Sequence, residues 1–498
     1  MEHILAGFMA ALSPVNLLLI IVGAMAGIAF GALPGISSAM GCVLLLPFTY
    51  GMPPISGLIL LVSAFCGATY GGSITAILFN TPGTPEAVMT TLDGYKLHQK
   101  GQGGKALGIA ISCSVLGGIF STFIMLLLSP PLAAVALSFG PAEYAAMAFL
   151  GLAAIVGLSK KSMLKGLISC GLGLVFATAG SDMITGVERF TFGTPLLLNG
   201  VHFIPVMIGA FAVAEVFEQI GRKTTTQALA KTNIKIELMN FKEFLYLKWI
   251  ILRSAIIGVI VGILPGTGGT IASVLAYSDA TRCSKTPHLL GTGIIDGVAA
   301  PETANNASTG GAMVPTLTLG IPGSGTTAVM LGAFIILGLR PGPLLMREQP
   351  VLLYGIFAAM FIANLLLFAG GAFGVKTFSQ ISKLPYAIQA PLILGLCFVG
   401  SYALSNDLGA VWVMLFFGVV GYYLKKYNFS VAGLVLGLVL GEILEMGLRK
   451  ALLISQNDWS GIFFRPIAGL IWSLGICSLL WPVISKKLAE KRKATAAA

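Results

Sequence analysis

YGGSITAILFNTPGT, from Tyr70 to Thr84, and TGGAMVPTLTLGIPGS, from Thr309 to Ser324, decide how the rest of the chain is read. Each is an apolar stretch with a Pro-Gly pair inside it, Pro82-Gly83 in one and Pro322-Gly323 in the other. Proline lacks an amide donor and clashes with the preceding turn, so a helix must break at each pair. A break at membrane depth leaves peptide groups unpaired and is tolerated only where protein or a water-filled cavity satisfies them. Two breaks at matching positions of two halves point to a transporter binding site near the bilayer midplane.

Working outward, the halves match elsewhere. GIAFGALPGISS (Gly27 to Ser38) aligns with GVIVGILPGTGG (Gly258 to Gly269), both reading G-x-x-x-G-x-L-P-G, and AVAEVFE (Ala212 to Glu218) aligns with VLGEILE (Val439 to Glu445). Three matches in one order read as an old duplication, with a modest insertion in the second half. The expected organisation is a first transmembrane repeat over 1–220, a basic cytoplasmic linker over 221–248, a second repeat over 249–450, and an extra helix with a basic tail over 451–498.

Composition agrees with a membrane solvent. The 498 residues are 56% hydrophobic and 10% charged, with mean hydropathy +0.91, whereas a soluble domain carries about 25% charged residues. No Asp, Glu, Lys or Arg occurs between Glu2 and Glu86. A spanning helix needs about 20 apolar residues. Such runs lie near 15–33, 105–129, 143–158, 163–180, 203–220, 245–264, 326–339, 351–373, 386–404, 408–424, 430–446 and 462–484. The fold class is therefore an all-α polytopic membrane protein with about 10–12 transmembrane helices, plus shorter broken pieces.

The net charge of +11 sits in the gaps between apolar runs, where it orients the chain instead of binding nucleic acid. Arg222, Lys223, Lys231, Lys235, Lys242 and Lys248 make the densest gap, which is expected on the cytoplasmic side, as is the tail from Lys486 to Lys493. The N-terminus lacks the basic region and cleavage site of a secretory peptide, so its first apolar run is expected to remain a helix. Two inverted halves need an odd number of spans each, which puts the N-terminus outside. Arg449 and Lys450 then fall on the outer side, in tension with the charge rule. The seven cysteines (Cys42, Cys66, Cys113, Cys170, Cys283, Cys397, Cys477) form no C-x-x-C pair and read as small core residues.

The candidate site residues cluster at the breaks and at the two L-P-G turns. Asn80, Thr81, Pro82, Gly83 and Thr84 surround the first break; Gly320, Pro322, Gly323, Ser324, Gly325 and Thr326 surround the second; Pro34, Gly35, Ser37 and Ser38 match Pro265, Gly266 and Thr267 at the turns. Glycine lets a ligand approach the backbone, and half-helix N-termini offer unpaired N–H groups to a carboxylate. Freed carbonyls at the opposite half-helix ends suit Na⁺. PETANNAST (Pro301 to Thr309) adds Glu302, Asn305 and Asn306 at i, i+3 and i+4. An acidic residue beside a transport path is a functional candidate, and Glu302 is a candidate carrier of a coupling proton. Two plainer readings stay open: the G-x-x-x-G glycines as close helix contacts, and PETANNAST as a solvated loop.

Other classes leave little trace. A phosphate-cradling G-x-x-x-x-G-K-[ST] loop is absent; GQGGKA at Gly101 to Ala106 lacks its first glycine, at Gln99, and the hydroxyl after Lys105. His3, His98, His202 and His288 form no H-E-x-x-H, which counts against an intramembrane protease. A passive channel and a stand-alone symporter remain as alternatives.

The strings A-L-P-G-I-S-S, Y-G-G-S-I-T-A-I-L-F-N-T-P-G-T-P-E-A, P-E-T-A-N-N-A-S-T-G-G-A and L-G-I-P-G-S-G-T-T-A resemble the TctA family, the large membrane subunit of tripartite tricarboxylate transporters, and the resemblance covers essentially the whole chain. It implies a bacterial inner-membrane permease with a small partner subunit of about four spans (TctB-like) and a periplasmic solute-binding protein (TctC-like). It further implies uptake of a small carboxylate driven by Na⁺ or H⁺, with no cofactor beyond that ion, and an elevator-type movement of a domain holding both broken hairpins. Citrate, another tricarboxylate, a dicarboxylate or an aromatic acid all remain open as cargo.

Overall fold

The computed structural model describes residues 2–33, 35–157, 163–182, 184–220, 235–266, 268–381, 386–405 and 407–480. Pro34, Thr267, the first half of the basic linker (221–234) and the basic tail lie outside the described residues. Among those described, nine helices are long and apolar enough to cross a membrane: Pro14–Gly31, Pro54–Phe79, Thr90–Ala136, Phe203–Ile220, Phe241–Ile263, Pro350–Gly371, Tyr386–Ala403, Leu408–Lys426 and Val431–Ile454. Shorter apolar helices cover Ser38–Thr49, Met163–Ala177, Gly325–Ile336 and Pro466–Leu480. Met163–Ala177 and Gly325–Ile336 account for two runs that sequence windows count as full spans: a turn after the first and the break before the second shorten the helix without lowering the hydropathy.

The breaks fall slightly earlier than the prolines alone indicate. Helix 54–79 stops at Asn80, whose left-handed φ of 54° lets its N–H reach the Thr75 carbonyl. Helix Asp296–Leu319 stops at Gly320, with φ 70° and its N–H on the Pro315 carbonyl. A residue preceding proline is disfavoured in helical conformation, so Thr81 and Ile321 must already be outside the helix, and a left-handed C-cap one residue before them ends it cleanly.

The glycine patterns resolve toward close packing. A Cβ on Gly27 or Gly31 would overlap the Ala64 or Ala68 carbonyl of helix 54–79, and one on Gly258 or Gly262 would do the same to Ala304 or Ser308 of helix 296–319. PETANNAST is no solvated loop: every residue from Pro301 to Thr309 is buried inside helix 296–319. Gly27→Val is therefore expected to destabilise the protein by about 1–3 kcal/mol through overpacking, read as a lower melting temperature in detergent; an unchanged value would show that the two helices can separate freely.

The packing of one half recurs in the other. Helix 14–31 lies on 54–79 as 241–263 lies on 296–319; 54–79 packs on Pro350–Ile381 as 296–319 packs on Gly103–Ala136; and 203–220 pairs with 408–426 as 431–454 pairs with 163–177. Within each pair of the first kind the helices run the same way. The equivalent helices 54–79 and 296–319, however, run in opposite directions, since Ser73 meets Glu302 and Thr69 meets Asn305. The molecule thus has one body built from 2–136 and 241–381, holding both breaks, and a second built from Pro141–Gly157, 163–220 and 386–480.

Basic residues gather at the two ends of the bundle. Lys96 and Lys100 bind the Gly291 and Gly293 carbonyls, Lys105 pairs with Glu243 at 2.5 Å, Lys425 pairs with Glu215, and Lys165 reaches the Tyr427 carbonyl at 2.6 Å, all at one end. The opposite end carries Arg189, Arg449 and Arg465. There Arg449 pairs with Asp182 at 2.5 Å and Glu445 at 3.2 Å, Arg189 with Glu445 at 2.8 Å, and Arg465 with Glu143 at 3.3 Å. Local carboxylates thus neutralise Arg449, which relieves its tension with the charge rule; Lys450 has no such partner among the described residues.

The Asp182 carboxyl, in a loop outside the spans, is held well below the usual carboxylate range, first by the Arg449 side chain and then by the Thr185 and Ile184 N–H groups. A depressed carboxylate contributes stability that is full above its unfolded value of about 3.9 and is lost as pH falls through the folded one. Asp182→Asn should accordingly melt below wild type at pH 7, with the gap closing only under strongly acidic conditions; a gap that persisted at low pH would mean that charge pairing is not its origin.

Candidate functional site

Both breaks fold back onto the glycine helices. Gly83 lies against the Gly31 carbonyl and donates its N–H to Gly72 O at 3.1 Å; Gly323 lies against the Gly262 carbonyl and accepts from the Gly266 N–H at 2.9 Å. Absence of a side chain is required at both positions, because a Cβ would meet backbone on two sides. Each break is thereby held at the depth where the preceding helix ends in its L-P-G turn. The turns are tight, with Gly35 at φ 91° and Gly266 at φ 76°.

The start of helix Gly268–Cys283 sits between the two breaks. A Cβ on Gly268 would lie 3.7 Å from Ser324 Cβ, and one on Gly269 would meet Asn305 Oδ1, with Glu86 Cγ at 3.0 Å and Ser308 Oγ at 3.1 Å. Asn305, Ser308 and Glu86 therefore surround a single point at a helix N-terminus. Asn305 is 1% exposed, and its Nδ2 is committed to the Thr69 carbonyl at 3.2 Å. Its Oδ1, like Glu86 Oε2, is buried and makes no hydrogen bond. Buried oxygens are normally paired, so this group of unpaired acceptors is the most informative polar feature of the fold.

Around Ser324 three helix N-termini meet, those of Ser38–Leu45, 268–283 and Gly325–Ile336. Ser37 caps the first by accepting from the Met40 N–H at 3.2 Å, and Ser324 caps the third through a reciprocal box with Thr327. A Cβ on Gly325 would be 3.9 Å from Ala39 Cβ and 3.5 Å from the Phe211 ring of the second body. Ser38 and Thr326 are buried close by, and Ser38 Oγ is also unpaired. The second body touches the same seam: Gly151 borders Pro265 and Ile321, and Gln219 and Glu215 border Gly35.

Of the residues singled out from sequence, Gly83, Thr84, Gly266, Asn305, Gly323, Ser324 and Gly325 come together along this seam, with Gly35, Ser37, Ser38, Pro265, Pro322 and Thr326 flanking it. Asn80 and Thr81 are exposed, and Asn80 serves as a helix cap. Gly320 likewise caps its helix. Asn306 is buried, with Nδ2 on the Glu302 carbonyl at 3.3 Å and Oδ1 unpaired. Pro34 and Thr267 lie outside the described residues.

Glu302 is fully buried and one helical turn from Asn305, where it accepts hydrogen bonds from Ser73 at 2.6 Å, from Ser114 at 3.0 Å and from Thr90. It thus ties three other helical segments to 296–319. A second buried carboxylate, Asp93, accepts from the Gly293 and Ile294 N–H groups at 2.7 and 3.1 Å and from Tyr277 Oη at 2.8 Å, clamping the 291–294 turn. Sequence reasoning missed Glu86 and Ser308 as site residues. One signal for Glu86 was available, because it is the first charged residue after Glu2 and follows the first break by three positions.

A family model described as the tripartite tricarboxylate transporter TctA family matches residues 17–436. Over 487 residues the chain is 37% identical to a protein of Agrobacterium vitis named "Uncharacterized 52.8 kDa protein in TAR-I ttuC' 3'region", covering 98% of this chain and 97% of that one. It is also 39% identical over 224 residues, 45% of this chain, to 93% of a second protein of that organism, "Uncharacterized protein in TAR-II ttuC' 3'region". No solved structure matches the chain.

Proposed function

Since the chain belongs to the tripartite tricarboxylate transporter TctA family, we propose that it is the large permease subunit of a binding-protein-dependent secondary transporter, importing a small di- or tricarboxylate together with a cation. The observation that carries the reading is the meeting of both helix breaks with three helix N-termini at one buried seam, beside unpaired oxygens. Helix N-termini present N–H groups and positive dipole ends to a carboxylate without a buried arginine. The unpaired oxygens of Glu86 and Asn305 suit the coupling ion. An acceptor set of several oxygens favours Na⁺, because a proton needs only one of them.

Opposite directions of the equivalent helices 54–79 and 296–319 support two inverted repeats. The seam between two bodies supports an elevator-type motion, in which the body holding the breaks slides against the other. The lysine-rich end is assigned to the cytoplasm of a bacterial inner membrane by the positive-inside rule, and the basic tail with it. Its partners in this reading are a TctB-like small subunit and a TctC-like periplasmic binding protein.

The test is uptake of radiolabelled citrate and other carboxylates into membrane vesicles holding this chain, the small subunit and the binding protein. Removal of either partner should abolish uptake. Uptake by this chain alone would favour a stand-alone symporter instead.

A further inference from the structure

At the end of the bundle opposite the lysines, a cavity of about 760 Å³ opens beside the second break. Its walls are Gly320 at the helix cap, the turn from Gly338 to Pro343, and Tyr144, Ile443 and Lys450 from the second body. It therefore lies on the seam along which the two bodies meet. Two cations, Arg340 and Lys450, line it, and no acidic residue does. Elsewhere at this end Arg189, Arg449 and Arg465 are all held in ion pairs. Among the described residues Arg340 and Lys450 have none. Unpaired cations concentrated in a concave space raise the local concentration of anions, and the volume falls within the range of small-molecule sites, about 300–1,000 Å³.

We propose that this cavity is an outer vestibule in which a polycarboxylate is held by Arg340 and Lys450 before it reaches the second break. The proposal rests on the carboxylate-carrier reading above and adds a site to it. The carboxylate enters between Tyr144 on one body and the Gly320 cap on the other. Movement of the bodies then carries the second break, together with Arg340, past Lys450. Arg340 offers a planar, bidentate fork to one carboxylate, and Lys450 a point charge to another. Two cations on opposite walls favour a substrate with at least two acidic groups over a monocarboxylate.

The experiment uses right-side-out vesicles containing the complex with its small subunit, with Arg340→Cys and Lys450→Cys made separately. Wild type gives the background from its own exposed Cys283 and Cys477. Membrane-impermeant thiol reagents should label both new cysteines from outside. Citrate, without any binding protein present, should slow the labelling about tenfold at low ionic strength and less at high salt, while acetate should protect far less. Coupling a trimethylammonium group to either cysteine should return uptake toward wild type, and coupling a sulfonate should depress it further. Labelling that ignores every carboxylate, in vesicles whose wild-type complex still transports citrate, would overturn the vestibule and leave the carrier reading standing. Protection by the binding protein alone, with none by citrate, would overturn it in favour of a protein-docking face. Absence of carboxylate uptake by the wild-type complex would remove both readings together.

Discussion

Glu86→Gln is expected to uncouple uptake from the cation gradient while leaving the protein folded. Glu86 follows the first break directly, and its Oε2 is buried without a partner, close to Asn305 Oδ1 and the start of helix 268–283. The substitution keeps the shape but removes the negative charge, and it turns one acceptor into an N–H₂ donor facing the ion. Truncating one member of a buried, closely held charge pair costs about 2–5 kcal/mol, so the half-saturating cation concentration should rise about thirtyfold or more. The fold should survive, because Glu86 ties no helices together. Carboxylate uptake measured against Na⁺ or H⁺ concentration decides the matter; an unchanged cation dependence would remove Glu86 from the ion site. Asn305→Ala should move the same curve in the same direction.

The opposite pattern is expected at Glu302. Ser73, Thr90 and Ser114 come from three separate helical segments, and each donates its hydroxyl to this one carboxylate. Glu302→Ala leaves three buried hydroxyls unpaired and a void between helices, at about 1–3 kcal/mol for each orphaned group and more for the void. That is a large share of a typical total stability of about 5–15 kcal/mol. The variant should fail to accumulate as folded protein. Glu302→Gln retains one acceptor oxygen and should give folded protein with a lowered melting temperature. Its two oxygens are occupied by three hydroxyl donors that join helices, so the pH profile of uptake should survive Glu302→Gln. A lost pH dependence in that variant would instead return Glu302 to the role of proton carrier.

The contrast between these two glutamates shows what a sequence can and cannot carry. Both breaks are legible because proline imposes them locally, and the paired motifs are legible because they are contiguous strings. The membrane class follows from composition alone, and the family from motif strings that a family model then matches over most of the chain. Which carboxylate faces the unpaired oxygens is set by contacts between segments far apart in the chain. Ser73 is 229 positions from Glu302, and nothing near either residue announces the other. PETANNAST drew attention to Glu302 because it is polar in an apolar context, yet burial there serves to join helices. Glu86 sits in an ordinary turn sequence, and its significance depends on Asn305 from the other half. Asn80 also ends its helix with a left-handed cap, a role that an amide beside a proline does not announce in the sequence. One further repeat also emerges at the end of the third match, where E-x-x-E-x-x-x-R-K occurs at Glu215 to Lys223 and again at Glu442 to Lys450. Arg222 and Lys223 lie outside the described residues.

The most direct test of the account is the final level of citrate, or of whichever carboxylate the binding protein captures, in sealed vesicles holding the whole complex and no ATP, with Na⁺ and H⁺ gradients imposed separately. The account predicts accumulation above the external concentration with an inward Na⁺ gradient, and collapse to equilibrium when that gradient is dissipated. Carboxylate that only equilibrates, whatever gradient is imposed, would contradict cation-coupled transport and identify the seam between the two bodies as a passive path.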